Sequence, residues 1–403
     1  MLELNEVLLK ACARDARLRY QSAEAMRADL ALLQSGKSVK RRRAWERSSS
    51  HAKKLVLAIS ALALVAAIVF SLPVRKSPAP AIERSKNAEA NDAYLNGNIT
   101  FHTDSAGAFA QAAKYFERAI ELDPKFAAAY ARLAKSYIWL DPSSPEILKN
   151  ARLLGEKALS LNRRLADAHE VVGWTKAVLD RDWRGAEKEY LYSIRLNPSS
   201  EEHLYGYASF LVIAGRSSEA VRQVEKALTF DSPTIVYLQN AAFVFSAAHQ
   251  YDRAIQKIEQ VIEKEPSSRM RLADRFLVPA YREKGDYSKA IQVEEEAALL
   301  KGENPEHVKD KFNALREACD RGGARGYWQQ QLKSSKNDEN NPGWLAALYA
   351  RVGDKDKAFS YLNLAFERTP TELVFQINKD PSFDKLRGDR RFLDVLKKLG
   401  LSK

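Results

Sequence analysis

The chain has 403 residues, 45% of them hydrophobic, enough to build a folded core, and a formal net charge of +12 from 64 Lys/Arg and 52 Asp/Glu. Residues 1–54 hold 13 Lys/Arg and 6 Asp/Glu, so the rest of the chain is only +5, which argues against a broad basic binding face on it. Cys12 and Cys319 are the two cysteines; they fall on opposite sides of the apolar segment described below, so no intramolecular disulfide is expected.

In residues 1–35, Leu4, Val7, Leu8 and Ala11 have helical spacing, a polar turn follows, and Ser22 is placed to cap a second helix striped by Ala25, Met26, Leu30 and Leu33. Two such helices bury little on their own. The run Lys10-Ala11, Asp15-Ala16, Arg19-Tyr20, Ser22-Ala23 and Met26 resembles the last two helices of a bacterial serine/threonine protein kinase domain, with Ala16 where that family carries proline. The resemblance implies a salt bridge from Arg19 to a glutamate near an activation segment. This chain has no such segment, no Gly-rich phosphate loop, no His-Arg-Asp loop and no Asp-Phe-Gly. Ser35–Ser38 reads SGKS but lacks the upstream glycine and strand of a phosphate loop. The chain as it stands is therefore expected to be non-enzymatic. It is either a kinase remnant or the distal part of a receptor-like kinase whose catalytic domain lies upstream of Met1.

Residues 36–54 form a basic segment, and 55–72 read LVLAISALALVAAIVFSL, eighteen residues without charge. As a helix this stretch would reach about 27 Å, close to the hydrocarbon thickness of a bilayer. The expectation is a transmembrane helix in the inner (cell) membrane. The excess of Lys/Arg before it places the N-terminus in the cytoplasm and the remainder outside. The basic run needs no nucleic acid to explain it, and none is expected as a partner.

After a polar linker (73–90) the chain repeats. The series Ala112, Phe116, Ala119, Pro124 recurs as Ala186, Tyr190, Ser193, Pro198 and as Ala254, Ile258, Val261, Pro266. The steps from Ala112 through Ala151, Ala186, Ala220, Ala254, Ala290 and Ala358 are 39, 35, 34, 34, 36 and 68 residues. Helical stripes precede each unit, and Gly97, Ala134, Gly173, Ala208, Ala242 and Ala346 sit where paired helices must approach closely. A period near 34 built of helix pairs resembles the tetratricopeptide repeat (TPR). The implied fold is an all-α helical-hairpin solenoid: TPR repeats over 91–302, a degenerate helical repeat at 303–335, a further repeat at 336–372 and a C-terminal cap at 373–403. Phe383, Leu386, Phe392, Val395 and Leu396 are expected to cover the last open apolar face.

No chemistry stands out along this array. The six histidines lack partners at metal-ligand spacing; His169-Glu170 begins an HExxH-like run, but Gly173 occupies the second histidine position. No cofactor and no metal are expected. The resemblance implies instead that the first helix of each unit lines a groove for a protein or peptide ligand. Residues just past the small packing positions, with their neighbours one turn earlier, give the candidate groove set: Lys135, Trp174, Tyr205, Gln239, Phe243, Arg275 and Arg282. The expected function is a membrane-anchored binding scaffold. The alternative is the extracytoplasmic sensor of a receptor-like kinase.

Overall fold

The computed structural model describes residues 2–40, 83–103, 107–230, 234–335 and 340–401, and among these helix follows helix with no strand. The chain divides into two units, Met1–Ser77 and Pro78–Lys403.

In the first unit, α1 (Leu2–Ala11) and α2 (Ala23–Gln34) flank a short 3-10 turn at Ala16–Leu18. Ser22 Oγ accepts the Ala25 amide at 3.2 Å and caps α2. The turn between the helices is held locally: Arg19 Nε donates to the Ala13 carbonyl at 2.7 Å, Tyr20 donates to Asp29 at 2.7 Å, and the Lys10 ammonium lies 4.4 Å above the Tyr20 ring.

The second unit is a succession of helical hairpins. The first five are α3–α4 (Ala88–Phe101, Ala108–Leu122), α5–α6 (Ala127–Leu140, Pro145–Leu161), α7–α8 (Ala166–Thr175, Trp183–Leu196), α9–α10 (Glu201–Ile213, Ser217–Ala227) and α11–α12 (Ile235–Ala247, Tyr251–Lys264). A composite α13 (269–284), with a π-helical turn at Ala273–Leu277, pairs with α14 (Tyr287–Leu300). Then come α15 (Pro305–Ser335) and the hairpin α16–α17 (Pro342–Val352, Lys355–Arg368). Helix starts follow side-chain chemistry. Asn87, Ser144, Asp182, Ser200, Asp286 and Asp354 each accept an amide of the first turn, and Pro145 and Pro342 occupy first-turn positions where no amide hydrogen is needed.

Hairpins close where one side is small and the other large. A Cβ at Gly97 would stand 2.6 Å from the Phe116 ring, and one at Gly173 3.1 Å from Tyr190. The first two hairpins share a core of Tyr94, Phe101, Phe116, Phe126 and Leu133. A second, continuous core runs from Ala134 through Tyr190, Phe245 and Phe312 to Leu399. The first helices α5, α7, α9 and α11 touch one another in succession and form one inner face.

Within segment 303–335, Pro305–Ser335 is helical on both sides of a break at Gly323, which has φ +54° and ψ −141°. Three residues on, Gly326 lies so close to the Ala318 carbonyl that a Cβ would stand 1.9 Å from its oxygen.

The C-terminal segment is α18 (Pro370–Ile377), a 3-10 turn (Pro381–Leu386) and α19 (Arg390–Lys398). Phe383, Leu386, Phe392 and Val395 are buried in the continuous core, with Leu396 packed against it. The segment also folds back onto the third and fourth hairpins. Arg181 Nη1 donates to the Lys398 carbonyl at 3.0 Å, Trp183 Nε1 to the Leu399 carbonyl at 3.2 Å, and Asn378 Nδ2 to the Ile213 carbonyl at 3.0 Å.

The expected fold class is corrected in one part. Among the described residues no helix is long and apolar enough to cross a membrane. The second helices bury one stripe and carry charge on the other, α11 carries no charge but is only 13 residues long, and α15 is broken at Gly323 and rich in charge. The stretch 55–72, on which the transmembrane helix and membrane partner were expected, lies outside the described residues.

Candidate functional site

The inner face carries a buried network of charge. Arg132 and Lys135 on α5, Asp167 and Glu170 on α7, and Glu202 and His203 on α9 each put one or two side chains into it. Arg132, Asp167 and Glu202 are spaced by 35 residues, as are Lys135, Glu170 and Tyr205, so successive first helices bring them side by side. Arg132 holds Glu202 with two parallel bonds of 2.7 and 2.8 Å, and its Nε lies 3.3 Å from Asp167. Lys135 Nζ lies 2.5 Å from Glu202, 3.0 Å from Glu170 and 3.4 Å from Asp167. His203 Nδ1 meets Glu170 at 2.9 Å.

Burial alone would raise the carboxylate pKa values. The charges of Arg132 and Lys135 outweigh it and hold Asp167 below, and Glu202 well below, the ordinary range. Burial would equally lower the two cations, but the surrounding carboxylates keep both above their usual values.

Asp167, Glu170 and His203 offer ligand atoms within 4.8 Å of one another. The Lys135 ammonium stands against the same oxygens, so these carboxylates already surround a resident cation. A divalent ion would be forced beside Lys135 and Arg132, and the donor set does not fit one.

An aromatic layer adjoins this network. The Phe101 ring lies 5.6 Å from the Arg132 guanidinium, Tyr205 and Tyr237 stack at 5.0 Å and 17°, and His102 meets Tyr237 edge-on at 5.7 Å. Burial pushes the His102 imidazole below its ordinary pKa.

Of the residues expected to line a groove, Lys135 and Tyr205 are thus buried in this network and its aromatic layer, with Lys135 only 3% exposed. Trp174 and Phe243 lie farther along the inner face under the C-terminal segment. Trp174 packs on Phe375 at 5.7 Å, and the Lys379 ammonium sits 5.4 Å above the Phe243 ring. Gln239 is half-buried on α11, four residues before Phe243. Arg275 is exposed beside the Phe276 ring, and its charge reaches Lys379. Arg282 turns toward the following hairpins, where it bonds Tyr327 at 2.6 Å and pairs with Glu294. The structure therefore brings Trp174, Phe243 and Arg275 to one place, Lys135 and Tyr205 to another, and Arg282 to neither.

Sequence reasoning missed Arg132, Asp167 and Glu202. Their signal was the 35-residue register shared by one base and two acids. Asn378 and Phe375, which carry the C-terminal segment onto the inner face, had no periodic signal.

The class defined by this geometry is a solenoid of helical hairpins with a continuous inner face of first helices. Residues 242–306 match the family model described as tetratricopeptide repeat. Among solved structures, the chain is similar to a thermophilic TPR protein of Thermus thermophilus, TTC0263, at 17% identity over 44% of this chain and 92% of that one, with a TM-score of 0.36. It is similar to YrrB, described as a TPR protein with an unusual peptide-binding site, at 21% identity over 44% and 87%, with a TM-score of 0.26. It is also similar to human IFIT1, solved as a dimer with PPP-AAAA, at 17% identity over 69% and 72%, with a TM-score of 0.42. Comparison with curated proteins gives no match.

Proposed function

We propose that the second unit is a protein-binding scaffold that receives a peptide segment of its partner on the inner face around Trp174 and Phe243. One observation carries this reading: that part of the face already holds the C-terminal segment, which rests on it through Phe375 of α18 and through Asn378 and Lys379 just beyond the helix. A surface of Trp and Phe flanked by the cation Arg275 has the composition of an interface centre, where aromatics and arginine dominate binding energy. The hairpins keep the inner face in place, so ordering of the face itself adds little to the cost of binding.

Selection of peptides from a displayed library against the whole chain tests the reading. Binders are expected to lose at least tenfold in affinity to the Trp174→Ala/Phe243→Ala double variant. Equal affinity for both proteins would place the binding surface elsewhere and end this reading.

A further inference from the structure

The inner stripe of α3 is Tyr94, Asn98 and His102, which follow one another at four-residue steps. It is poorly satisfied. Asn98 Oδ1 and His102 Nδ1 are buried and have no hydrogen-bond partner among the described residues. A buried polar atom without a partner costs free energy, which weakens the hold on the last turn of α3.

His102 nevertheless makes a long-range contact. Its ring meets Tyr237 edge-on at 5.7 Å, so the end of the first helix in the first hairpin touches the start of the first helix in the fifth. Tyr237 in turn stacks on Tyr205 of the fourth hairpin at 5.0 Å. A stack of hairpins ordinarily contacts only its neighbours. Here the inner face is bridged from the first hairpin to the fifth, and His102 makes the bridge. The buried side chains of the first hairpin lie in the separate core of Tyr94, Phe101 and Phe116, so lifting this turn leaves the continuous core intact.

Burial is the largest influence on the protonation of His102 and favours the neutral ring. Charges of both signs face it: Glu202 on α9 and Asp167 on α7 favour the charged form, and Arg132 and Lys135 on α5 oppose it. Burial also keeps the Tyr237 hydroxyl on α11 neutral by pushing its pKa up.

We infer that His102 is a proton-operated latch: neutral, it fastens the last turn of α3 to α11 and closes the inner face between the first and fifth hairpins; protonated, it lets that turn go and uncovers the ring of Tyr237. The device is separate from the surface around Trp174 and Phe243. A released imidazole is solvated and binds its proton at the ordinary value of about 6.5, the closed one only at lower pH. Closure is therefore complete above about 6.5 and is lost as the pH falls through the closed-state value. Arg132 and Lys135 keep their bonds to Glu202 throughout, so the second to fourth hairpins stay closed.

Hydrogen-exchange mass spectrometry of the whole chain tests the latch, with rates corrected for the intrinsic effect of pH and with α16 and α17 as internal reference. Residues 98–103 and 235–240 are expected to lose protection several-fold between about pH 7.5 and pH 5.5, with about tenfold as the upper bound at one unit below the ordinary imidazole value. His102→Phe keeps an aromatic edge against Tyr237 but takes up no proton, so both segments should stay protected at both pH values. His102→Lys is charged at both and should lose protection at both, with circular dichroism establishing that each variant keeps its helix content. Unchanged protection in the unaltered chain overturns the latch. An equal loss in His102→Phe also overturns it and assigns the response to the carboxylates of the ionic network. The NMR titration of the His102 ring in the unaltered chain gives a reading that does not depend on the variants folding. A midpoint below about 6.5 is expected, and one at or above it overturns the latch.

Discussion

Lys135→Met lowers the stability of the second unit by about 3–5 kcal/mol, the range for removing one partner from a buried ionic network. The side chain is 3% exposed and contacts three carboxylates, Asp167, Glu170 and Glu202. Methionine fills the volume but leaves those three acids facing Arg132 and His203. The loss reflects uncompensated charge rather than lost packing, and it has a definite pH dependence. In the unaltered chain Asp167 and Glu202 titrate below the ordinary carboxylate range. Their contribution is therefore complete above the unfolded values, near 4, and fades as the pH falls through the lower folded values. In Lys135→Met the same carboxylates lose a cation and their folded pKa values rise, so protonation relieves the variant. Urea denaturation at a series of pH values should show the largest gap between the two proteins at pH 7 and a narrowing gap toward pH 4. A gap that stays constant would mean the lysine acts by packing alone. Adding Glu202→Gln to Lys135→Met should recover part of the loss, since the two sites are in direct contact and their effects cannot be additive.

Gly326→Ala is the second large effect, and its origin is steric. The new methyl would be built 1.9 Å from the carbonyl oxygen of Ala318. That oxygen belongs to backbone and cannot rotate away, so α15 must separate on either side of its break at Gly323. A loss of about 3 kcal/mol, the upper end of ordinary overpacking, is expected. It should be confined first to 305–335: hydrogen exchange there accelerates while the first hairpin, whose buried side chains belong to a separate core, remains protected. Gly322→Ala is the control, because nothing lies within 4 Å of a Cβ at that position. Equal effects of the two substitutions would refute the close approach as the cause.

The hairpin architecture was legible because it is periodic. Alanines near a 34-residue step mark the second helices, and the small residues facing large ones, such as Gly97 against Phe116, mark the contacts within hairpins. Periodicity also assigns residues to helices, and it put Trp174 on α7 and Phe243 on α11. It does not say what covers them. Lys135 stands one position past Ala134 and reads as a groove residue, yet acids on the next two first helices enclose it. Trp174 lies under Phe375, which is 201 residues away in sequence, and no local pattern announces that contact. The ionic network is visible only when charges are compared across repeats at equal register. The apolar residues of the C-terminal segment were legible, but its contacts with the third and fourth hairpins, made by Asn378, Arg181 and Trp183 to backbone carbonyls, leave no compositional trace.

The clasp between Trp183 and Leu399 changes how the array must fold. A linear stack of hairpins contacts only its neighbours, gains stability repeat by repeat and unzips from its ends. Here the two partners are 216 residues apart in sequence. Closing a loop of that length in an unfolded chain costs about 5 kcal/mol of chain entropy, far more than one hydrogen bond returns. The clasp therefore forms last, after the intervening hairpins have brought their ends together. Once formed, it couples the last helices to the third hairpin, so 166–401 melts as one cooperative block. Only the first hairpin, outside the clasp and with its buried side chains in the separate core of Tyr94, Phe101 and Phe116, keeps the independent fraying of an open array.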